Sequence, residues 1–293
     1  MSQPSSKAKS LLARAKLNLF LQVVGRRADG YHLLDSLVAF ASTADLVTAQ
    51  PAERLSLSVS GPFAQHAGPD NENLVLRAAR ALQTATGCIQ GAALFVEKNI
   101  PAGAGLGGGS SDAAMTLRVL NEIWELDLSL NGLAKIALTL GADVPVCVYA
   151  QAAHMSGIGE NVLPIDPLPA IDMVLVHPGQ SLATPAVFKA LAGRYSGQAR
   201  PLPANISAPS ALMELLNQTT NDLEAPAREL LPAIDQILES LRSRPGCVLA
   251  RMSGSGSACF GLFADSNAAS AAAGHIQQTQ PQWWVQSGKL EQA

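Results

Sequence analysis

The chain has 293 residues, 48% of them hydrophobic, which is enough for two ordinary domains with a sizeable core and excludes an intrinsically disordered protein. Only 15% of the residues are charged and the net charge is −3, so the sequence provides no broad basic surface. We therefore expect neither a nucleic acid nor a membrane as a partner.

The spacing of the cysteines indicates the compartment. Cys88, Cys147, Cys247 and Cys259 have neither zinc-finger nor C-x-x-C spacing, which favours reduced, buried thiols. No apolar run reaches the ~18 to 20 residues of a membrane helix, and the stretch at Leu11 is too short for the core of a signal peptide. These features predict a cytoplasmic protein.

In the first half of the chain, strand and helix patterns follow one another. Residues 16–23 alternate polar and apolar side chains, as a half-buried strand does. A helix predicted at 73–84 has apolar residues at helical spacing, with Asn71 or Asn73 as its cap. The other features of this half are an apolar stretch at 33–41, strands at 55–59 and 93–96, and helices at 110–124 and 130–140.

The character of the sequence changes after a proline cluster, Pro164, Pro167 and Pro169, which indicates a linker and a division into domains at 1–165 and 166–293. This order of elements, β-α-β-β-α-β, is that of a ferredoxin-like domain. Its members are a strand at 173–177, helices at 184–191 and 226–241, strands at 247–252 and 258–263, a helix at 267–276 and a strand at 283–286.

The most informative segment is the glycine-rich stretch at 101–111, here called the glycine run, which leads into the predicted helix at 110–124. Such a run brings backbone N–H groups against a phosphate, and only glycine permits the close approach. The alternative is a flexible linker or a tight turn. A dinucleotide-binding loop is excluded because Glu122 and Glu125, at the spacing of its acidic residue, lie in a helical pattern. A P-loop is excluded because Ser110 follows Gly109 where lysine is required.

Three other groups of residues are suited to chemistry at a phosphate or a nucleobase. Lys16 and Asn18 lie on one face of the first strand, either as site residues or as part of a solvated face. Asp143 is either a general base or a turn residue after a helix. Tyr31 and His32 follow turn residues and would stack on and hydrogen-bond a base, unless they form an ordinary surface turn.

Taken together, these segments resemble the GHMP kinases, the superfamily that includes galactokinase, homoserine kinase and mevalonate kinase. The resemblance covers about residues 15 to 263 and rests on five motifs: Ala-Lys-Leu-Asn-Leu at 15–19, Arg-Ala-Asp-Gly-Tyr-His at 27–32, the glycine run, Gly-Ala-Asp-Val-Pro at 141–145 and Gly-Ser-Gly at 254–256. Asp-Gly-Tyr-His and Gly-Ala-Asp-Val-Pro are most similar to those of the members that act on a cytidyl substrate.

The resemblance implies an α+β fold, the GHMP kinase fold, with a ribosomal-S5-like ATP-binding domain at 1–165, a ferredoxin-like domain at 166–293 and an active site in the cleft between them. It implies an ATP-dependent kinase that phosphorylates the 2-hydroxyl of 4-diphosphocytidyl-2-C-methyl-D-erythritol, giving the 2-phosphate and ADP, in the non-mevalonate (methylerythritol phosphate) route to isoprenoid precursors. The small-molecule partners would be ATP and this cytidine diphosphate ester. Mg²⁺ is expected with ATP, but its protein ligands and the oligomeric state, monomer or homodimer, are left open.

By the same resemblance, each site residue has a role. Asp143 would be the catalytic base, with Lys16 beside it to stabilise charge and Asn18 to orient the reacting group. The residues that would wrap the ATP phosphates or line the adenosine pocket are Pro101, Ala102, Gly103, Ala104, Gly105, Leu106, Gly107, Gly108, Gly109, Ser110 and Ser111, with Asn73, Leu74 and Lys98.

The substrate site is implied by two short segments. Tyr31 and Phe188 would sandwich the cytosine, and His32 would read its edge by hydrogen bonds. Thr184 and Pro185 belong to the same motif as Phe188 and would complete this site.

Two other classes of protein remain as alternatives. Another GHMP kinase, acting on homoserine or mevalonate, should lack the pair Tyr31-His32 and Phe188. A non-catalytic nucleotide-binding or RNA-binding module is disfavoured, because the chain is acidic and carries both Lys16 and Asp143.

Overall fold

The computed structural model describes residues 8–66, 68, 72–197, 199, 202–203 and 205–291. The chain divides into two compact units. Unit 1 takes the described residues up to Ala15 together with Ala44–Ala102 and Gly108–Tyr149, and unit 2 takes Lys16–Thr43, Gly103–Gly107 and the described residues from Ala150 onward. The glycine run therefore contributes residues to both units.

Both units contain strands and helices. The strands are β1 (Lys9–Arg26), β2 (His32–Ala52), β3 (Ser56–Ser60), β4 (Gly91–Glu97), β5 (Ala153–Gly157), β6 (Asn161–Pro164), β7 (Asp172–His177), β8 (Cys247–Met252), β9 (Cys259–Phe263) and β10 (Trp284–Glu291). The α-helices are α1 (Leu74–Thr86), α2 (Gly108–Ile123), α3 (Leu130–Leu138), α4 (Val144–Tyr149), α5 (Thr184–Leu191), α6 (Pro209–Asn217), α7 (Glu224–Leu230), α8 (Ala233–Arg242) and α9 (Ser266–Thr279). Within the described ranges, none of these helices is long and apolar enough to cross a membrane.

Unit 1 is built on a small mixed sheet. The second half of β2 pairs antiparallel with β4, beginning with Leu46 opposite Glu97, and β4 pairs parallel with β3. Side chains of β4 alternate, so Leu94 and Val96 are buried while Phe95 faces solvent. The end of β4 then leads through Lys98 into the glycine run.

The start of α1 is fixed by a side-chain cap. The side-chain oxygen of Asn73 accepts a hydrogen bond from the N–H of Val75, which confirms Asn73 as the cap. Asn71, the alternative cap, lies outside the described residues. Because one face of α1 is apolar, the helix buries Leu76 and Leu82 in the core of unit 1.

Unit 2 contains the predicted ferredoxin-like sheet. Its strands lie in the order β10-β7-β9-β8, and each neighbouring pair is antiparallel. The β-α-β-β-α-β pattern implies this order, so the prediction is confirmed. The apolar face of α8 buries Ile237 and Leu241 in a core that includes Val174 of β7.

The prediction of a single helix at 226–241 is wrong, because two helices occupy this segment. α7 ends at Leu230, and α8 begins at Ala233. Between them Leu231 is extended, with φ −140° and ψ 90°, and Pro232 follows it. Proline lacks the N–H that a helix requires and disfavours a helical conformation in the residue before it, so α7 ends before Pro232.

The strands β5 and β6 form a hairpin that sequence analysis did not predict. β5 pairs antiparallel with both β2 and β6. Both strands belong to unit 2 by compactness, whereas the predicted N-terminal domain extends to residue 165. The two compact units are each made of several separate segments, so they do not test a single boundary between residues 165 and 166, which stays a prediction.

Candidate active site

The part of the glycine run in unit 2 is a fixed loop. Gly103, Gly105 and Gly107 have φ values of 65°, 77° and 62°, which favour glycine over other residues. The N–H of Lys16 donates to Leu106 O over 2.8 Å, which ties the loop to β1. A Cβ added at Gly105 would lie only 2.6 Å from Ser253 O, so the backbone packs directly on the segment after β8. These contacts contradict the alternative of a flexible linker.

Residues 108–111 of the glycine run belong to unit 1 and form the first turn of α2. A Cβ added at Gly109 would lie 3.5 Å from Leu74 Cδ1, and one added at Gly108 would lie 3.5 Å from Lys98 Nζ. Two predicted adenosine-pocket residues, Leu74 and Lys98, therefore lie against this turn. The first N–H groups of a helix have no partner within the helix and favour an anion, so this turn is suited to a phosphate.

A buried ion cluster lies beside the same turn. Lys98 Nζ donates to Asp112 Oδ2 over 2.6 Å and also to Asp45 Oδ2, and all three side chains are buried. Asp45 Oδ1 accepts from the N–H of Ile100 over 2.8 Å. Neither Asp45 nor Asp112 was predicted from the sequence. The signal at Asp45 is an acidic residue within an apolar segment, whereas Asp112 directly follows the glycine run.

The electrostatics of this cluster follow from its burial. Burial raises the pKa of Asp112 to about 7, which Lys98 opposes. Burial lowers the pKa of Lys98, but the two carboxylates outweigh it and raise this pKa overall. Lys98 is therefore held as an ammonium ion beside Gly108. Its predicted role in the adenosine pocket stays a prediction.

Lys16 and Asn18 form a buried polar pair on β1. Lys16 Nζ donates to Asn18 Oδ1 over 2.9 Å, which confirms that the two side chains share a face. Only 3% of Lys16 and 0% of Asn18 are exposed, so the alternative of a solvated strand face is wrong. Asn18 Nδ2 donates to Ser36 Oγ, and Ser253 Oγ accepts from the Asn18 N–H. The side chain of Lys16 also packs on Gly107, where an added Cβ would lie 3.0 Å from Lys16 Cβ.

Three aromatic rings of unit 2 meet where the cytosine site is predicted. The rings of His32 and Phe188 are stacked, with centroids 4.7 Å apart and an interplanar angle of 23°. Tyr195, which sequence analysis did not single out, meets His32 edge-on at 5.9 Å and 77°. Burial lowers the pKa of His32, and Arg26 lowers it further. Tyr31 is 60% exposed and is available to a ligand.

The remaining predicted residues occupy defined places. Thr184 and Pro185 form the first turn of α5, and the hydroxyls of Thr184 and Ser255 are 2.8 Å apart. Asp143 directly precedes α4 and is half-buried. It belongs to unit 1 while Lys16 belongs to unit 2, so the functional pairing of these two residues stays a prediction.

A cavity of about 760 Å³ in unit 2 is lined by none of the predicted site residues. Arginines line it, but these guanidinium groups are already engaged. Arg194 pairs with Glu229 and Arg228 with Asp235, and Arg251 donates to three backbone carbonyl oxygens. The carboxylates offset the charges of Arg194 and Arg228, and the carbonyl oxygens occupy N–H groups of Arg251 that would otherwise be open to a phosphate.

Comparison with known proteins finds relatives over nearly the whole chain. Residues 73–151 match the family model of the GHMP kinases N terminal domain, and residues 204–282 match that of the GHMP kinases C terminal domain. A protein of Rhodospirillum rubrum named 4-diphosphocytidyl-2-C-methyl-D-erythritol kinase is 46% identical, over 95% of this chain and 91% of its own length. A protein of the same name from Cereibacter sphaeroides is 48% identical, over 95% of this chain and 98% of its own. A solved structure of 4-(cytidine 5'-diphospho)-2C-methyl-D-erythritol kinase is 35% identical, with a TM-score of 0.80 over 97% of this chain and 100% of that chain.

Proposed function

The chain belongs to the GHMP kinases and, among them, to the 4-diphosphocytidyl-2-C-methyl-D-erythritol kinases, and we propose that it transfers the terminal phosphoryl group of ATP to the 2-hydroxyl of that cytidyl ester. The structural observation that supports phosphoryl transfer most directly is the conformation of the glycine run. The glycine run is a fixed loop that continues into the first turn of α2, so backbone N–H groups are available to a phosphate. This activity belongs to the methylerythritol phosphate route to isoprenoid precursors.

For ATP, we propose that residues 101–111 wrap the phosphates. Leu74 and Lys98 support this assignment because they lie against Gly109 and Gly108. Asn73 would contribute through its position at the start of α1, since its side-chain oxygen is engaged with Val75. Backbone N–H groups would then neutralise a polyanion in a chain that has few cationic side chains.

For the transfer step, Asp143 would accept the proton of the 2-hydroxyl. The hydroxyl oxygen would attack the γ-phosphorus, the bond to the β,γ-bridging oxygen would break, and ADP would leave with that electron pair. Lys16 would stabilise negative charge on the attacking oxygen, and the hydrogen bond from Lys16 to Asn18 would fix the ammonium group. Burial of Lys16 would strengthen this electrostatic effect, because the surroundings of its ammonium group largely exclude solvent.

For the cytidyl group, we propose that Tyr31, His32 and Phe188 recognise the base. The lowered pKa of His32 favours a neutral imidazole at pH 7, which carries one donor and one acceptor nitrogen. Tyr31 is exposed and would close over the base from the other side, with Thr184 and Pro185 near the start of α5. A base-recognition site of this kind gives Tyr31, His32 and Phe188 a role beside the kinase motifs of the same chain.

Mg²⁺ would accompany ATP. Among the described residues no group of three His, Cys, Asp or Glu side chains is arranged as a metal site, but Mg²⁺ in kinases is held mainly by phosphates with one or two protein ligands. The Ser110 hydroxyl, in the first turn of α2, makes no hydrogen bond to the described residues, so it fits this requirement. Ser111 fits it less well, because only 2% of Ser111 is exposed and its hydroxyl is turned towards Arg14 O, to which it donates over 2.7 Å. Bound Mg²⁺ would neutralise charge on the phosphates.

The test is release of ADP by the purified protein with ATP, Mg²⁺ and each candidate alcohol. We expect turnover with 4-diphosphocytidyl-2-C-methyl-D-erythritol and none above background with homoserine or mevalonate. Turnover with either of these and not with the cytidyl ester would overturn the proposal. Radiolabelled γ-phosphate recovered in the product would separate phosphoryl transfer from ATP hydrolysis.

A further inference from the structure

Tyr195 touches the predicted base-recognition residues without belonging to any motif that indicates the function. Its ring lies nearly at right angles to that of His32, with centroids 5.9 Å apart and an interplanar angle of 77°, while Phe188 stacks on His32 at 4.7 Å. The imidazole is therefore held on two sides, by stacking and by an edge contact. Edge-to-face arrangements are among the favoured geometries of aromatic pairs, so this contact restrains the orientation of the imidazole.

The backbone on both sides of Tyr195 is anchored. Before it, the side chain of Arg194 donates to Leu191 O and Ala190 O, at the end of α5. After it, the N–H of Ser196 donates to Val23 O over 3.0 Å, and Ser196 Oγ donates to Asp222 over 2.6 Å. Tyr195 therefore reaches His32 from a fixed position.

The opposing ring, Phe188, is also held. It lies on α5 and packs against the apolar core of unit 2, as does the ring of Tyr195. The three rings thus form a cluster that rests on one core. The hydroxyl of Tyr195 makes no hydrogen bond to the described residues, so its contribution comes from the ring.

The orientation of the imidazole matters because the ring is neutral. A neutral imidazole donates from one nitrogen and accepts at the other. Cytosine presents a donor at its amino group and an acceptor at the adjacent ring nitrogen, whereas uracil presents the reverse pattern. In a given tautomer, a ring that is free to turn can present either nitrogen and so satisfy either base, whereas a ring held in one orientation presents one nitrogen and satisfies one of them.

We infer that Tyr195 is a positioning residue that fixes the imidazole of His32 and thereby sets the preference for cytosine over uracil in the substrate. The inference rests on the proposed function, because it assigns the cytidyl group to His32. The inference assigns Tyr195 no contact with ATP or with the reacting hydroxyl. Its effect is confined to the binding and discrimination of the base.

The test compares Tyr195→Leu, Tyr195→Phe and Phe63→Leu with the unchanged chain. Phe63 is the matched control, since its ring lies 6.4 Å from that of His66, a histidine with no role in the proposed site. For Tyr195→Leu we expect the KM of the cytidyl ester to rise about fivefold to tenfold, the size of an aromatic pair contact, with kcat and the KM of ATP changed less than about twofold. The preference for the cytidyl over the uridyl ester should fall by a similar factor. Tyr195→Phe should retain the original values.

A second measurement follows His32 directly by ¹H–¹⁵N NMR. In Tyr195→Leu the imidazole becomes more solvated and less restrained, so the pKa of His32 should rise towards the ordinary value. Unchanged His32 signals, or equal losses for the cytidyl and uridyl esters, would overturn the inference. Failure of the proposed function is a different result, namely no turnover of the cytidyl ester by the unchanged chain, and the NMR comparison stands without it.

Discussion

The ammonium group of Lys98 donates a 2.6 Å hydrogen bond to the carboxylate of Asp112, and both side chains are buried. Asp45 engages the same ammonium group, so three ionisable groups share a site that excludes solvent. Such a cluster is costly to desolvate and is stable only while its charges are paired. Its place beside the first turn of α2 links the stability of unit 1 to the segment that would bind phosphate.

Replacing the cation of this cluster should destabilise the protein strongly. Lys98→Met leaves Asp45 and Asp112 buried without a cation, and we expect the free energy of unfolding to fall by about 3 to 5 kcal/mol. Urea unfolding without nucleotide measures this quantity. The matched control is Lys9→Met, because Lys9 pairs with Glu122 at the same 2.6 Å distance but with side chains 51% and 44% exposed. In Lys9→Met the free energy of unfolding should fall by no more than about 1 kcal/mol. Equal losses of this free energy in both variants would contradict the prediction.

Sequence periodicity predicts the regular elements well where one face is apolar. α5 at 184–191 and β8 at 247–252 have the bounds that the pattern predicts. The glycine run and the shared face of Lys16 and Asn18 can also be predicted from the sequence, because each involves residues that are close together in the chain.

The parts of the site that the sequence does not reveal depend on distant contacts. Asp45 lies 53 residues from Lys98, and no local spacing indicates that the two meet. Tyr195 reaches His32 only because the fold brings the end of α5 beside the start of β2. Pro232 is different, since its effect on the helix at 226–241 is local and could have been predicted from proline alone.

The proposed base gives a second prediction. Asp143→Asn retains the size of the side chain but removes its ability to accept a proton, so kcat should fall by roughly two to four orders of magnitude. The coupled ADP-release assay measures this. Asp127→Asn is the control, because Asp127 is exposed and has a φ of 51°, a conformation that asparagine tolerates. Turnover of Asp143→Asn close to that of the control would show that Asp143 is not the base.

The fixed loop of unit 2 gives a third prediction. Gly105→Ala and Gly193→Ala introduce a Cβ at similar φ values, 77° and 79°, but only the first meets neighbouring atoms. The new Cβ at 105 would lie 2.6 Å from Ser253 O and 2.7 Å from Gly256 O, so the loop must shift. We expect kcat/KM for ATP to fall about 10²-fold in Gly105→Ala, the effect of a small misplacement of a binding group.

In Gly193→Ala only the backbone conformation is strained, so the free energy of unfolding should fall by about 1 to 2 kcal/mol. The kcat/KM for ATP should stay nearly unchanged. Thermal unfolding and steady-state kinetics of both variants separate the two effects. If both variants lost kcat/KM for ATP to the same extent, the contacts of Gly105 would have no specific importance.

The last prediction concerns His177 at the end of β7, where burial lowers the pKa to about 4. Its Nδ1 accepts from the N–H of Gly179 over 3.2 Å, so the proton lies on Nε2, which has no partner among the described residues. The unfolded chain takes up a proton as the pH falls through about 6.5, whereas the folded chain does so only near 4. The stabilisation is thus complete above pH 6.5 and is lost as the pH falls towards 4.

Over this window the free energy of unfolding should fall by about 3 kcal/mol through His177 alone. His177→Gln removes the titration, so the difference between the unchanged chain and this variant should shrink or reverse as the pH is lowered from 7 to 4. Urea unfolding at each pH measures the difference, with His275→Gln as a control at an exposed histidine. A difference that is constant with pH would mean that His177 is protonated equally in the folded and unfolded chains, and burial would then not depress its pKa.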